Sequence, residues 1–161
     1  MNQIIRKTFR QAVKQYFTEV GLGTPAVRYI EHPNLPTDLS SLCIIGIVGA
    51  IKGHLVILFP KSASAPIVQR LNDHAGIECS YNTIHLHEKE TLYEAANQLS
   101  GTWINVLSEI GIDSMITPPT VLKGEALTAL LPESDENYHF KVIGDFGKIF
   151  CILALKNSKM I

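Results

Sequence analysis

Apolar and polar positions follow two different periods along the chain, one helical and one typical of strands. Near the start, NQIIRKTFRQAVKQYFTEVG repeats apolar residues every three or four positions, which predicts an amphipathic helix that ends at Gly21. After a short extended piece, AVRYIE, come two apolar runs, LCIIGIVGAI and GHLVILFP, separated by a lysine-glycine turn. Short, continuous apolar runs are typical of strands buried on both faces, so these two predict a β-hairpin.

The second half of the chain predicts two more helices and further strands. KSASAPIVQRLNDHAG predicts a short helix with a serine cap at Ser64, Pro66 in its first turn and an end near Gly76. A longer helix is predicted around residues 90–110 and is closed by Gly111. TPPTVLKG then forbids a helix and forces an extended approach to a strand. From LTALL to IFCILAL, strand-like runs alternate with turn clusters, which predicts an antiparallel meander.

This order of elements lacks the regular βαβα alternation of a parallel sheet. It predicts an α+β fold in which helices pack on an antiparallel β-sheet of about six strands. A length of 161 residues and a hydrophobic content of 46% are enough for one core, so a single domain over residues 1–161 is expected.

The long helix has two contrasting sides. Its apolar stripe, at helical spacing, is expected to face the core and consists of Leu92, Ala96, Leu99, Trp103, Val106 or Leu107, and Ile110. The opposite side carries what we call the polar ridge, about 27 Å long: Glu90, Glu94, Asn97, Gly101, Asn105 and Ser108. Asn97 and Gly101 are poor helix formers, which suggests a use at the surface. Gly101 leaves open backbone where another surface could approach closely.

The same residues also have a purely structural interpretation, in which they serve no function at the surface. Thr91 and Glu94 have the spacing of a capping box, in which Glu94 would only bond to an amide at the helix start. Asn97 would then be an ordinary solvated residue. Spacing alone favours this interpretation, because an acidic residue followed by an amide is common on helices.

Charge and composition argue against two classes of partner. Only 18% of the residues are charged, the net charge is −1 and no block of like charge occurs, so nucleic-acid binding is not expected. The longest apolar stretch is too short to span a bilayer and no secretory leader is recognised, so we expect no membrane association and a cytoplasmic location. Cys43, Cys79 and Cys151 share no CxxC spacing, which favours buried free thiols.

Motifs for a metal or nucleotide site are not recognised. His85 and His87 alternate as they would on one side of a strand, which makes a metal pair conceivable, but we favour exposed loop histidines. The sequence also has no GxSxG, P-loop or GxGxxG motif that would support a hydrolase triad or a nucleotide site. We therefore expect no metal site.

Three motifs, taken in order, resemble the CheX and CheC family of chemotaxis phosphatases. They are the strand-turn-strand IIGIVGAIKGHLVILFP, the Glu-x-x-Asn motif in EAANQLSG and the proline pair in TPPTVLKG. The resemblance covers about residues 40–155 and is greatest to the CheX branch, which has one Glu-x-x-Asn helix. The family often has serine or aspartate where this chain has Glu90, and its proline usually lies slightly farther from the asparagine than Pro119 does from Asn97.

The resemblance implies a phosphatase that hydrolyses the aspartyl phosphate of a CheY-like response regulator. Asn97 would orient the attacking water, and Glu94 would pair with a lysine of the regulator. The partner-binding surface would include four further residues: Glu90, Gly101, Pro118 and Pro119. Any Mg²⁺ would be bound by the regulator, and the chain would need no cofactor of its own. The family also implies homodimers formed by joining sheet edges, with IFCILAL as a plausible edge strand.

Two alternatives stay open from the sequence. One is a non-catalytic CheX-like module that binds a response regulator or another signalling partner, its recognition altered by Glu90. The other is a stand-alone ligand-binding or assembly domain. This last alternative would be favoured if the protein's own chain covered Glu94 and Asn97.

Overall fold

Antiparallel strands and helices make up an α+β fold in the computed structural model, which describes residues 1–80, 83–123 and 131–157. The helices are α1 (Asn2–Glu19), α2 (Lys61–His74) and α3 (Ile84–Glu109). The strands are β1 (Ala26–Ile30), β2 (Leu39–Gly49), β3 (Gly53–Pro60), β4 (Ser114–Ile116), β5 (Thr120–Lys123), β6 (Glu136–Gly144) and β7 (Gly147–Leu155). The predicted fold class is confirmed, with seven strands in these residues where about six were expected.

These strands form an antiparallel sheet in the order β1-β6-β7-β3-β2-β4, with β5 pairing β2 beside β4. The predicted hairpin is confirmed, since β2 and β3 are antiparallel neighbours. The extended approach to a strand after the proline pair is also confirmed, because β5 begins directly after Pro119. Most of the LTALL run lies in residues 124–130, outside the described residues.

The prediction that IFCILAL forms an edge strand is wrong. These residues belong to β7, which pairs with β6 on one side and β3 on the other. A continuous apolar run fits this central position, because both faces and both edges of such a strand are covered. The edges of the described sheet are β1 at one side and β4 with β5 at the other.

Two helix starts differ from the prediction. Helix α2 begins at Lys61, so Ser64 lies inside the helix, where it is buried and does not cap it. Helix α3 begins at Ile84, two turns before Thr91. The capping-box interpretation is therefore wrong, because Thr91 is an interior residue of the helix.

All three helices cover the same face of the sheet. Their buried residues share one hydrophobic cluster with alternate residues of the strands, whereas a smaller cluster on the opposite face contains no residue of these helices. Trp103 of α3 is fully buried and meets the ring of Phe9 of α1 edge-on, with 5.5 Å between ring centroids. The Trp103 indole N–H donates to Thr8 Oγ1 at 3.1 Å. Helix α3 is thus joined to α1 by a buried hydrogen bond as well as by apolar packing.

The prediction for the cysteines is confirmed. The three cysteines are free and buried, as predicted. Within the described ranges, none of the helices has the length and apolar character needed to cross a lipid bilayer.

Replacing Thr8 by valine tests the junction between α1 and α3. Thr8→Val keeps the volume of the side chain but leaves the buried Trp103 N–H without its acceptor. A buried donor without a partner costs about 1–3 kcal/mol, so the free energy of unfolding should fall by that amount in a denaturant titration. Thr18→Val is the matched control, because Thr18 is exposed on the same helix and bonds to the Lys14 carbonyl at 2.8 Å. Equal losses from both variants would contradict the role given to the indole bond.

Candidate active site

The polar ridge of α3 faces away from the core. Four of its six residues are exposed, and the other two, Asn97 and Gly101, are half-buried. The buried residues of α3 form the opposite side of the helix, as the apolar stripe predicted. Ile110, which the sequence places on that stripe, is the exception, because it follows the last residue of α3 and is exposed. No described part of the chain buries Glu94 or Asn97, so both side chains are accessible in the isolated protein.

Glu94 and Asn97 differ in how they are held. Gln98 Nε2 donates to Glu94 Oε1 at 2.9 Å, which orients the carboxylate, while Oε2 makes no hydrogen bond to the described residues. The Asn97 carboxamide makes no hydrogen bond to the residues that the structure describes, although the Asn97 backbone carbonyl accepts from the Ser100 hydroxyl at 3.0 Å. Both the C=O and the NH₂ of Asn97 are therefore left for solvent or an incoming molecule.

Gly101 has no steric reason within the described structure to be glycine. Its backbone is not in the positive-φ region, and a Cβ atom added to it would meet no neighbouring atom within 4 Å. A glycine inside a helix costs about 0.5–1 kcal/mol relative to alanine. Internal packing does not explain this glycine, which fits the prediction of a close approach by another surface.

The proline pair belongs to a rigid connection between β4 and β5. Pro118 is exposed and Pro119 is buried. Just before them, Thr117 Oγ1 accepts from the Gly46 N–H and the Thr117 N–H donates to the Gly46 carbonyl, both at 2.9 Å. A Cβ atom on Gly46 would lie 2.7 Å from Thr117 Oγ1, so glycine is required for this contact. A docking role of Pro118 and Pro119 stays a prediction.

A partly buried carboxylate that sequence reasoning missed anchors the first turns of α3. The Glu88 side chain is 13% exposed, and its Oε2 accepts from Lys123 Nζ at 2.8 Å. Its Oε1 accepts from the hydroxyls of Ser40 at 2.7 Å, Ser41 at 3.3 Å and Ser64. We call these five residues the Glu88 cluster. It ties α3 to β2, β5 and α2 at one point.

The charge of Glu88 is stabilised by this cluster. Burial alone raises the pKa of Glu88, but the hydrogen bonds from Lys123, Ser64 and Ser40 and the charge of Lys123 outweigh burial, so the pKa lies below its usual value. The partners lie 24 to 48 positions away along the chain, so no local motif marks the cluster in the sequence.

The histidine pair lies on a helix and not in the predicted loop. His85 and His87 occupy the first turn of α3, two residues apart, so their side chains point to different faces. Among the residues that the structure describes, no three histidine, cysteine or acidic side chains are grouped so that they could hold a metal ion.

Fold and site together define an α+β protein that presents an acidic residue and an amide, one turn apart, on the outer side of a helix packed against the sheet. The profile of the family described as chemotaxis phosphatase CheX matches residues 41–142, a segment that contains both Glu94 and Asn97. The chain belongs to the CheX family.

Individual relatives agree with this assignment. The CheY-P phosphatase CheX of Thermotoga maritima is 30% identical over 105 residues, which are 65% of this chain and 63% of that protein. A chain in the crystal structure of the CheX–CheY–BeF₃–Mg²⁺ complex from Borrelia burgdorferi superposes with a TM-score of 0.73 and 20% identity, over 94% of this chain and 97% of that one. A CheC-like superfamily protein from Shewanella sp. PV-4 gives a TM-score of 0.74 and 20% identity, over 98% and 100%. At such identities the solved structures establish the fold.

Glu88→Gln tests the Glu88 cluster. The variant keeps the shape of the side chain but removes the charge that Lys123 and the serines stabilise. We expect the free energy of unfolding at pH 7 to fall by about 1–3 kcal/mol in a denaturant titration. The exposed Glu109 of the same helix provides the control variant Glu109→Gln, which should change it by less than about 0.5 kcal/mol.

The pH dependence of that difference has a defined sign. The pKa of Glu88 is lowered by folding, so its contribution is complete above the pKa of the unfolded chain, about 4.3. The stability gap between the wild type and Glu88→Gln should be constant at neutral pH and shrink as pH falls below about 5. A gap that widens with acid would contradict the lowered pKa.

Proposed function

We propose that this chain is a phosphatase that hydrolyses the aspartyl phosphate of a CheY-like response regulator. The observation that carries the proposal is the accessible Glu94–Asn97 pair, whose carboxamide makes no hydrogen bond to the described residues. The pair lies on a helix whose opposite side is bonded to the rest of the protein. Family membership supports it, as does the description of the Thermotoga maritima relative as a CheY-P phosphatase.

The chemistry of the substrate suits an asparagine. An aspartyl phosphate is an activated acyl phosphate, and phosphoryl transfer depends mainly on positioning and on stabilisation of spread charge. A carboxamide does not take up a proton at neutral pH, but its C=O and NH₂ can hold a water in line with the phosphorus. A glutamine does this in small GTPases. Asn97 therefore needs only to be placed at the right distance from the phosphorus.

Glu94 supplies the contact that sets this distance. Its free oxygen can form a charge-assisted hydrogen bond with a lysine of the regulator. Because Asn97 follows Glu94 by three positions of one helix, about 4.5 Å along its axis, fixing the first residue places the second. Gly101, one turn farther along, lets the regulator backbone approach the helix closely. The Mg²⁺ that phosphoryl transfer uses would be bound by the regulator.

A non-catalytic CheX-like module that binds a regulator is the second candidate. The observation that favours it is Glu90, an exposed carboxylate one turn before Glu94, at a position where the family often has a smaller side chain. Release of phosphate from an acetyl-phosphate-labelled regulator in the presence of Mg²⁺ separates the two candidates. The remaining alternative, in which the chain covers Glu94 and Asn97 itself, lacks support because both side chains are accessible.

A cytoplasmic location and a homodimer are further proposals. Because β7 is central, two copies that extend the sheet would have to join at β1 or at β4 and β5. A strictly monomeric mass in sedimentation at high concentration would refute the dimer.

Asn97→Ala and Glu94→Ala should separate catalysis from binding. Asn97→Ala removes the group that orients water, so the rate of dephosphorylation should fall about a hundredfold or more while regulator binding stays nearly unchanged. Glu94→Ala should weaken binding as well, because it removes the ion pair. Asn105→Ala, two turns farther along the same ridge, is the control. If phosphate were released equally fast by the Asn97 variant, the positional mechanism would be refuted.

Two substitutions at Gly101 test its effect on stability and its effect on docking separately. Gly101→Ala should raise the free energy of unfolding by about 0.5–1 kcal/mol, because the added methyl group meets no neighbour and alanine favours helix. Gly101→Leu should also keep the fold, but its side chain should hold the regulator away and slow dephosphorylation. Wild-type activity in Gly101→Leu would show that no surface approaches this point.

A further inference from the structure

A groove of about 310 Å³ lies beside the polar ridge, where the ends of α1 and α2 meet α3. Val20 and Ala75, the C-cap residues of α1 and α2, both line it. Leu71, Ile77 and Ala95 add apolar surface to its walls. The volume is at the lower limit for small-molecule sites, which suits one long side chain with its flanking backbone.

The groove is electronegative. Glu90 and Glu94 both line it, and no lysine or arginine is among its described lining residues. The C-terminal ends of α1 and α2 add negative partial charge, equivalent to about half an elementary charge for each helix. The other titratable groups that line it are Tyr16, His74 and His87. The groove therefore favours a cation.

A buried polar group without a partner lines the same groove. Asn72 is only 4% exposed, and its Oδ1 lies 3.3 Å from the hydroxyl of Thr91. Its Nδ2 has no hydrogen-bond partner among the described residues. Because the Thr91 hydroxyl can donate or accept, the Asn72 amide can turn either its NH₂ or its C=O towards a ligand. An unpaired buried amide is unfavourable, so a ligand that bonds to it gains affinity.

These features together select one kind of occupant. An anion would meet two carboxylates and no lysine or arginine on the described groove walls, and a purely apolar group would remove the two carboxylates from water without compensation. The side chains of lysine and arginine have an aliphatic stem for the apolar walls and a charged end for Glu90 and Glu94.

We propose that this groove is a specificity subsite, which binds a lysine or arginine side chain that the docked regulator presents beside the lysine paired with Glu94. The subsite rests on the proposed function for the identity of its partner. It continues the docking surface because Glu94 belongs to both the ridge and the groove. Glu90, an exposed carboxylate that lines the groove, is then the residue that selects regulators with a second basic side chain.

The first experiment tests the groove without any regulator. The full chain is titrated with N-acetyl-arginine N-methylamide, and the amide signals of Thr91 and Ala95 and the side-chain NH₂ signal of Asn72 are followed by NMR. N-acetyl-norleucine N-methylamide is the neutral control probe. We expect saturable shifts with the arginine probe alone, and an affinity that falls about threefold or more in Glu90→Gln and with added salt.

Glu109→Gln is the matched protein control, since Glu109 is exposed on the same helix and does not line the groove. It should bind the arginine probe like the wild type. The proposal is overturned if no saturable shift occurs, if both probes shift the same signals, or if Glu109→Gln weakens binding as much as Glu90→Gln does.

The second experiment uses acetyl-phosphate-labelled CheY-like receiver domains. Glu90→Gln should raise KM for regulators with a second basic side chain more than it lowers kcat, whereas Asn97→Ala should lower kcat. If the wild type hydrolyses no regulator, the proposed function fails, and the arginine titration still decides whether the groove binds a basic side chain. If hydrolysis is intact but Glu90→Gln and Glu109→Gln have equal KM values, the subsite is refuted. A Glu90→Gln effect on self-association alone would identify a second copy as the occupant and also overturn the proposal.

Discussion

Helix α3 is held to the rest of the protein by side-chain hydrogen bonds at two points, one part-buried and one fully buried, and the candidate site lies between them. The Glu88 cluster fixes its first turns to β2, β5 and α2, and the bond between Trp103 and Thr8 fixes its later turns to α1. Both anchors are on the covered side of the helix. The segment between them therefore cannot rotate or slide without breaking these bonds, of which the one from the Trp103 indole is buried from water.

This double anchoring matters because the proposed chemistry has no strong base or metal of its own to make up for poor placement. A carboxamide that orients a water contributes through geometry, and an error of about 1 Å is enough to lose much of the effect. Support from buried neighbours is what holds such a group in position. The pairing of Glu88 with Lys123 also separates two kinds of acid on one helix. The charge of Glu88 is balanced by Lys123 of the same chain, whereas Glu90 and Glu94 are exposed to solvent, where the cations of the proposed partner could reach them.

The parts of the structure that the sequence predicted correctly are those with a local physical cause. The side of α3 that carries Asn97 follows from the helical period, because core residues such as Leu99 recur every three or four positions. The β2–β3 hairpin follows from two apolar runs around a short turn. The start of α3 and the role of Ser64 differ from the prediction. Both depend on Glu88, whose partners are distant in the chain. The place of β7 in the sheet is also non-local, since an apolar strand can be covered by other strands or by a second copy.

A comparison of magnitudes explains why α3 continues through its unfavourable residues. Asn97 and Gly101 together reduce helix stability by about 1–2 kcal/mol relative to alanine. Each anchor contributes on the order of 1–3 kcal/mol through the donors and acceptors it keeps paired. The tertiary bonds on one side of α3 therefore offset the local loss on the other. An isolated peptide with this sequence would lack that compensation, so the accessible amide of Asn97 and the open backbone of Gly101 can be kept only because the opposite side of the same helix is bonded to the rest of the protein.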